Sequence, residues 1–292
     1  MKIDMKMDGK IKKNVDGGNK EDNKQEIIEK LKIKIKKAVE KNLPDENYIG
    51  VLFSGGVDST LIAYLLKDMG KNIICFTSAL AEEGLVQSKD LVASKRAAEK
   101  YDFPLDISEI NLKEMEEVIP KVMRIIKSDN VVKVGVAIPI HLAIEKAAKK
   151  GIRTVMSGIG SEEIFAGYER HAQALDINEE CKAGLERIKE RDLDRDNAIA
   201  EYHKINLKSP LLEKELVDFA LTIPGDYKIK DGENKLILRE AAIEMGLDNE
   251  TAMRKKIGAQ YGSGFDKGLQ KIAKKNGFKY KSEYLRSLNI VL

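Results

Sequence analysis

The chain has 292 residues, and its 51 basic and 48 acidic side chains leave a formal net charge of +3, too little to set up a field that selects nucleic acid or a membrane surface. Apolar residues make up 42% and charged residues 34%, which describes a globular protein with a heavily charged surface and enough length to need no disulfide or metal staple. Cys75 and Cys181 form no CxxC pair and three histidines are too few for a rich metal site, so the composition fits a reducing, cytoplasmic setting. No apolar run approaches ~18 residues, which excludes a helical membrane span.

Residues 1–24 are polar, lack the apolar centre of a signal peptide, and read as a disordered tail. From residue 26, Ile27, Ile28, Leu31, Ile35 and Val39 recur near a 3.6-residue period and predict an amphipathic helix over 26–43. Its basic run Lys32–Lys37, like KKNGFKYK near the end, reads as a solvated face. YIGVLF (48–53) predicts a buried strand and STLIAYLLKDMG (59–70) a helix ending on Gly70. NIICFTSA (72–79) is a second strand, SKDLVASKRAAEKY (88–101) a helix, and PLDISEI (104–110) a third strand. KEMEEVIPKVMRII and GVAIPIHLAIEKAAKKG predict helices limited by their prolines. RTVMSG (153–158) is a fourth strand, and EEIFAGY opens another helix. After about residue 175 the pattern is helical, with no clear strand. The prediction is therefore an α/β protein: a doubly wound parallel sheet of about five strands over 25–175, with a mostly helical C-terminal portion over 176–292. Such sheets bind ligands beyond the carboxyl ends of their strands.

The first strand runs into Ser54-Gly55-Gly56-Val57-Asp58-Ser59. Two glycines let the backbone turn sharply and bring its N–H groups close to a ligand. The following helix adds unpaired amides and the positive end of its dipole, and Ser54, Ser59 and Thr60 offer hydroxyls. This is an anion cradle. No lysine follows the glycines, so it is not the GxxxxGK(S/T) loop. Asp58 suits phosphate only through a bridging divalent cation, with Mg²⁺ the natural one. On spacing alone an ordinary strand–turn–helix with a capping Asp or Ser stands beside that reading.

The hexapeptide resembles the pyrophosphate loop of the ATP pyrophosphatase superfamily, which includes asparagine synthetases, GMP and NAD synthetases and tRNA thiolases. The resemblance implies an adenine nucleotide alpha hydrolase-like fold, ATP and Mg²⁺ as cofactors, and cleavage between the α and β phosphates. It places nucleotide contacts on Phe53, Ser54, Gly55, Gly56, Val57, Asp58, Ser59, Thr60 and Thr77. VMSGIGSEEIFAGYER (155–170) repeats the strand–glycine–helix layout and resembles the asparagine synthetase motif S-G-E-G-S-D-E-x-F-x-G-Y. It adds Ser157 and Gly158 to the nucleotide contacts and makes Glu162 a second metal carboxylate beside Asp58. Glu162 and Glu163 also suit a helix start on charge alone.

Three further stretches match in order: Asp194–Ala220 resembles D-R-x-x-A…E-x-R-x-P-x-L-D, YKIKDGENKLILREAA resembles K-x-L-L-R-x-A, and Arg254–Gly264 resembles K-x-Q-x-G-S-G and the related loop of β-lactam synthetase. By resemblance Lys256 reaches the α-phosphate and the acyl-adenylate, with Lys255 its rival for that register, and QYGSG forms a glycine-hinged flap. Arg239 and Asp196 are phosphate-side or structural partners.

Three positions in two motifs depart from the family. Ile159 stands where S-G-E-G has glutamate, and Asn206 and Lys208 stand at Glu and Arg of E-x-R-x-P. Isoleucine cannot accept a proton, and lysine cannot match a planar bidentate contact. The resemblance implies an AMP-forming ligase that joins a carboxylate to ammonia or an amine. With about 45 residues before the loop, no glutaminase domain is expected, so a separate glutaminase subunit is a candidate partner. A homodimer is a further candidate, while membrane and nucleic acid are not expected partners. Two alternatives compete: a sulfur-transfer or tRNA-modifying enzyme using Cys181, and a non-catalytic ATP-binding module.

Overall fold

The computed structural model describes residues 20–84, 86–255 and 257–291. Most of the expected tail lies outside those residues, but residues 20–24 are the first turn of helix α1 (Lys20–Lys41). The helix outruns its apolar repeat because its start is held by charge and hydrogen bonds. Glu21 and Asp22 face the positive dipole end, Lys24 Nζ reaches Glu240 at 2.6 Å, and Gln25 Nε2 donates to Glu244 at 3.0 Å. Further along, Ile28, Leu31, Ile35 and Val39 are buried, as the spacing predicts.

Strands and helices then alternate: β1 (Tyr48–Leu52), α2 (Val57–Asp68), β2 (Asn72–Leu80), α3 (Lys89–Tyr101), β3 (Leu105–Ile110), α4 (Leu112–Ile126), α5 (Val131–Lys149) and β4 (Thr154–Met156). Pro120 and Pro139 do not limit α4 and α5 but lie inside them. Each removes one helical bond, and the buried faces outweigh that loss: Met115, Ile119, Val122 and Met123 on α4, and Val134, Ala137, Ile138 and Leu142 on α5.

The next helix, α6 (Ser161–Ile164), is a single turn because Ala166 takes a left-handed φ of 59°. It is followed by α7 (Glu169–Ala172), α8 (Ile177–Ile188) and α9 (Asp194–Tyr202), the last two joined through a π-helical turn, Lys189–Leu193. The expectation of no strand beyond 175 is overturned at Asn206–Lys208, which forms β5. Three residues before a proline carry too little periodicity to read; only their pairing with β4 defines them. The remainder comprises α10 (Lys214–Thr222), α11 (Gly225–Lys228), a hairpin of β6 (Ile229–Lys230) and β7 (Glu233–Asn234), then α12 (Leu236–Glu244), α13 (Asn249–Ala252), α14 (Ala259–Gly262), α15 (Phe265–Lys275) and α16 (Lys281–Ser287).

The five strands are parallel in the order β3-β2-β1-β4-β5. Successive residues feed opposite faces. Ile49, Val51, Cys75 and Met156 enter one core with α1, α2, α10 and α12. Phe76 and Val155 enter the other with α4, α5, α15 and α16. The sheet is thus covered on both sides, and the C-terminal helices complete both cores. Strand order reverses between β1 and β4, so the crevice at their carboxyl ends is the topological switch point. Among the described residues no helix is long and apolar enough to cross a membrane.

On the α5 face, His141 Nδ1 lies 3.0 Å from Nε2 of His203. Burial first, then the neighbouring His203, pulls His141 down to about 4, and burial likewise pulls His171 to about 4. Both imidazoles stay neutral in the fold while the unfolded chain protonates near pH 6.5, so their stabilisation is full above pH 6.5 and is lost as pH falls toward 4. Denaturant melts should lose on the order of 2 kcal/mol between pH 7 and pH 4.5 through each of these groups. His141→Gln should flatten that part of the profile, and an unchanged slope would contradict the assignment.

Candidate active site

Phe53 still donates its amide to Phe76 O at 2.8 Å, and the chain leaves the sheet at Ser54. Gly55 has φ +66°, and a Cβ there would lie 2.4 Å from the Ala93 carbonyl carbon of α3, so conformation and space both require glycine. Gly56 caps α2 without a side chain, leaving first-turn amides to the crevice. Ser59 Oγ accepts from Ser54 N at 3.2 Å and closes the loop. Thr60 Oγ1 is buried with no hydrogen-bond partner among the described residues.

The loop after β4 approaches from the other side. Ser157 N donates to Lys208 O at 2.9 Å, which keeps this stretch on the sheet. A Cβ on Gly158 would stand 2.7 Å from Asp58 Cβ, so the two loops are in contact. Gly160, with φ +97°, leads into α6.

The two first-turn glutamates of α6 part company. Glu163 pairs with Arg191, and burial pushes its carboxyl up despite that partner. Glu162 converges on Asp58, and between them sits an ammonium group that the sequence reading did not single out. Lys235 Nζ lies 3.0 and 2.7 Å from the Asp58 oxygens, 2.9 Å from Glu162 Oε1 and 3.5 Å from Ser161 Oγ. Lys235 is 1% exposed. Its φ of 58° at the N-terminus of α12 is left-handed, which costs a side-chain-bearing residue about 1–2 kcal/mol. Lys235 is the first letter of the K-x-L-L-R-x-A stretch, the one signal that could have found it.

Two arginines frame the same crevice. Arg239 donates to the carbonyls of Asn234 (2.7 Å), Ala252 and Arg254 (3.0 Å), so its role is to hold backbone. Arg254, also missed, donates to Ser54 O at 3.1 Å and pairs with Asp90 at 2.7 Å, linking the glycine loop after β1 to α3. Asp196 is elsewhere: it is buried against Arg195 at 2.7 Å.

Two clefts meet at Ser54. One, with a free volume of about 120 Å³, is lined by Phe53, Ser54, Thr77, Ser78, Pro139 and Ala143. The other is lined by Ser54, Gly56, Val57, Asp58, Lys235 and Arg254, with Lys255 and Ile257 at its edge, and leaves about 10 Å³. That is room for roughly one water. The structure thus brings together Phe53, Ser54, Gly56, Val57, Asp58 and Thr77 as cleft lining and Glu162 and Gly158 against Asp58. Gly55, Ser59, Thr60 and Ser157 shape the loops behind. Lys256 lies outside the described residues. Asn206 is exposed at the start of β5, and Ile159 and Lys208 are half-buried beside the β4 loop. Cys75 and Cys181 are both buried, and burial pushes both thiols up.

A phosphate-type loop after β1, a matching glycine turn after β4 and a doubly wound sheet define an α/β protein of the ATP pyrophosphatase class. The family model described as asparagine synthase matches residues 30–182 and 173–286. A Methanocaldococcus jannaschii protein named as a glutamine-hydrolysing asparagine synthetase is 31% identical over 92% of this chain and 56% of its own. The asparagine synthetase of Gallus gallus is 26% identical over 87% of this chain and 46% of its own. The chain belongs to the asparagine synthase family, and it spans about half the length of these relatives. Among solved structures, a U34-tRNA thiolase of Methanococcus maripaludis covers 89% of this chain and 77% of its own at a TM-score of 0.40 and 14% identity, too distant to argue from.

Because Arg254 roots the segment that follows it, Asp90→Ala should loosen that root. Limited trypsin digestion should cut at residues 254–256 several-fold faster than in the wild type while the melting temperature changes little. Equal cleavage would show that the Arg254–Asp90 pair restrains nothing.

Proposed function

We propose that the chain is an ATP-dependent synthetase that adenylates a carboxylate, releases pyrophosphate, and forms an amide from ammonia or an amine. The observation carrying this reading is the convergence of Asp58 and Glu162 from the two switch-point loops onto one cationic position, directly beside the β1 amide cradle. The two hard oxygen donors, already arranged around a cation, fit Mg²⁺. When bound there, Mg²⁺ would neutralise phosphate charge and favour departure of pyrophosphate.

The chain's own groups divide the remaining work. The cleft of Phe53, Thr77 and Pro139 takes the nucleoside, and the amides of Gly55 to Asp58 take the polyphosphate. Thr60 Oγ1, buried and unpartnered among the described residues, lies behind that cradle. Arg254 holds the loop in shape through Ser54 O. Lys256 supplies charge to the α-phosphate as its oxygens become more negative, a contribution largest once water is excluded. The acyl-adenylate then meets the nitrogen donor on the β4–β5 side, near Ile159 and Lys208, which lie at the carboxyl ends of the strands. Neither is a carboxylate base, which supports an incoming amine that arrives neutral or is deprotonated by the departing groups.

The sulfur-transfer alternative needs an accessible thiolate. Cys181 is buried, with its Sγ 4.0 Å from the wholly buried Lys228 and its thiol pushed up by burial, and Cys75 is buried on β2. Neither suits a nucleophile.

Exchange of labelled pyrophosphate into ATP, screened over carboxylic acids with Mg²⁺, tests the proposal. One acid should support exchange, and ammonium or an amine should then yield AMP and an amide. Asp58→Ala and Lys256→Ala should each lower exchange at least 100-fold. Production of ADP and phosphate with that acid would exclude adenylation.

A further inference from the structure

The contacts of Lys235 are those of a cation in a metal position. We infer that Lys235 is a resident counter-ion, holding the place of the divalent cation between Asp58 and Glu162 until nucleotide displaces it. The inference deepens the reading above and rests on it. Two buried carboxylates a hydrogen bond from one point would repel strongly if left alone, and the ammonium group between them offsets that repulsion. A divalent ion at the same position would meet the same oxygen donors. The two cations cannot share the position, since their repulsion at contact distance has little solvent to screen it.

Space points the same way. The phosphate-side cleft, which Lys235 and Arg254 help to line, has room for about one water, so neither a polyphosphate nor its cation fits until that lining rearranges. The displaced group has somewhere to go. Lys235 itself lines that cleft beside Gly56, Val57 and Arg254, where arriving phosphate oxygens would receive it. The lysine thereby changes partners from carboxylate to phosphate, and the cation enters only when an anion has taken the lysine away.

The expected consequence is weak binding of metal alone and tight binding of metal with nucleotide. Mn²⁺ serves as the probe, followed by electron paramagnetic resonance without nucleotide. Lys235→Met should bind Mn²⁺ at least 10-fold more tightly than wild-type protein, and Mn²⁺ should restore much of the melting temperature that the substitution loses. Should Lys235→Met not fold, Glu162→Gln is compared with Glu162→Gln/Lys235→Met, which pairs the loss of one carboxylate with the loss of the ammonium group. The double variant should bind Mn²⁺ several-fold more tightly than the single one. Equal or weaker Mn²⁺ binding in both comparisons overturns the inference. A parallel titration with a fluorescent ATP analogue separates the two ideas. Intact nucleotide binding without the gain in Mn²⁺ affinity defeats the counter-ion role alone, whereas no nucleotide binding by the wild type defeats the proposed function as well.

Discussion

A single buried ammonium group shared by two carboxylates from different loops organises the centre of this molecule. Replacing such a cluster with well-packed apolar residues is often neutral or stabilising, whereas removing one member costs about 3–5 kcal/mol. Its energetics therefore give no reason to build it for stability. It makes sense as a charge arrangement kept for chemistry, and the neighbouring structure accommodates it. Gly158 leaves no side chain over Asp58, Gly167 leaves none over the Glu162 carboxylate, and Lys235 accepts a left-handed backbone to point inward.

The sheet makes the cluster possible. Parallel strands β1 and β4 are neighbours whose connections depart in opposite directions, so their terminal loops open onto the same crevice. Apolar packing on both faces fixes the height and register of those strand ends, and with them the spacing of Asp58 and Glu162. The C-terminal helices complete this packing and also deliver Lys235, Arg239 and Arg254. These cations thus come from the part of the chain without long strands.

The alternation of strands and helices through residue 156 was legible because period-2 and period-3.6 apolar patterns are strong over elements of that length. The strand β5 was not, since its identity resides in pairing across the sheet rather than in its own three residues. Helices α4 and α5 ran through prolines because burial outweighed a local rule. At the site, glycine spacing located the two loops and the acidic pair. The lysine between them was hidden by sequence distance: 177 residues separate it from Asp58 and 73 from Glu162. Arg254 was hidden in the same way, as a charge within a basic run whose partners, Ser54 and Asp90, lie far upstream.

The Arg239 guanidinium grips three carbonyls on two separate stretches of chain. One is Asn234, next to the lysine-bearing turn; the others are Ala252 and Arg254, where the segment toward residue 262 begins. A rigid planar fork cannot stretch, so a shift at one grip is felt at the other. The turn that carries the inward-pointing amine and the stretch that begins at Arg254 are thereby tied to one common anchor.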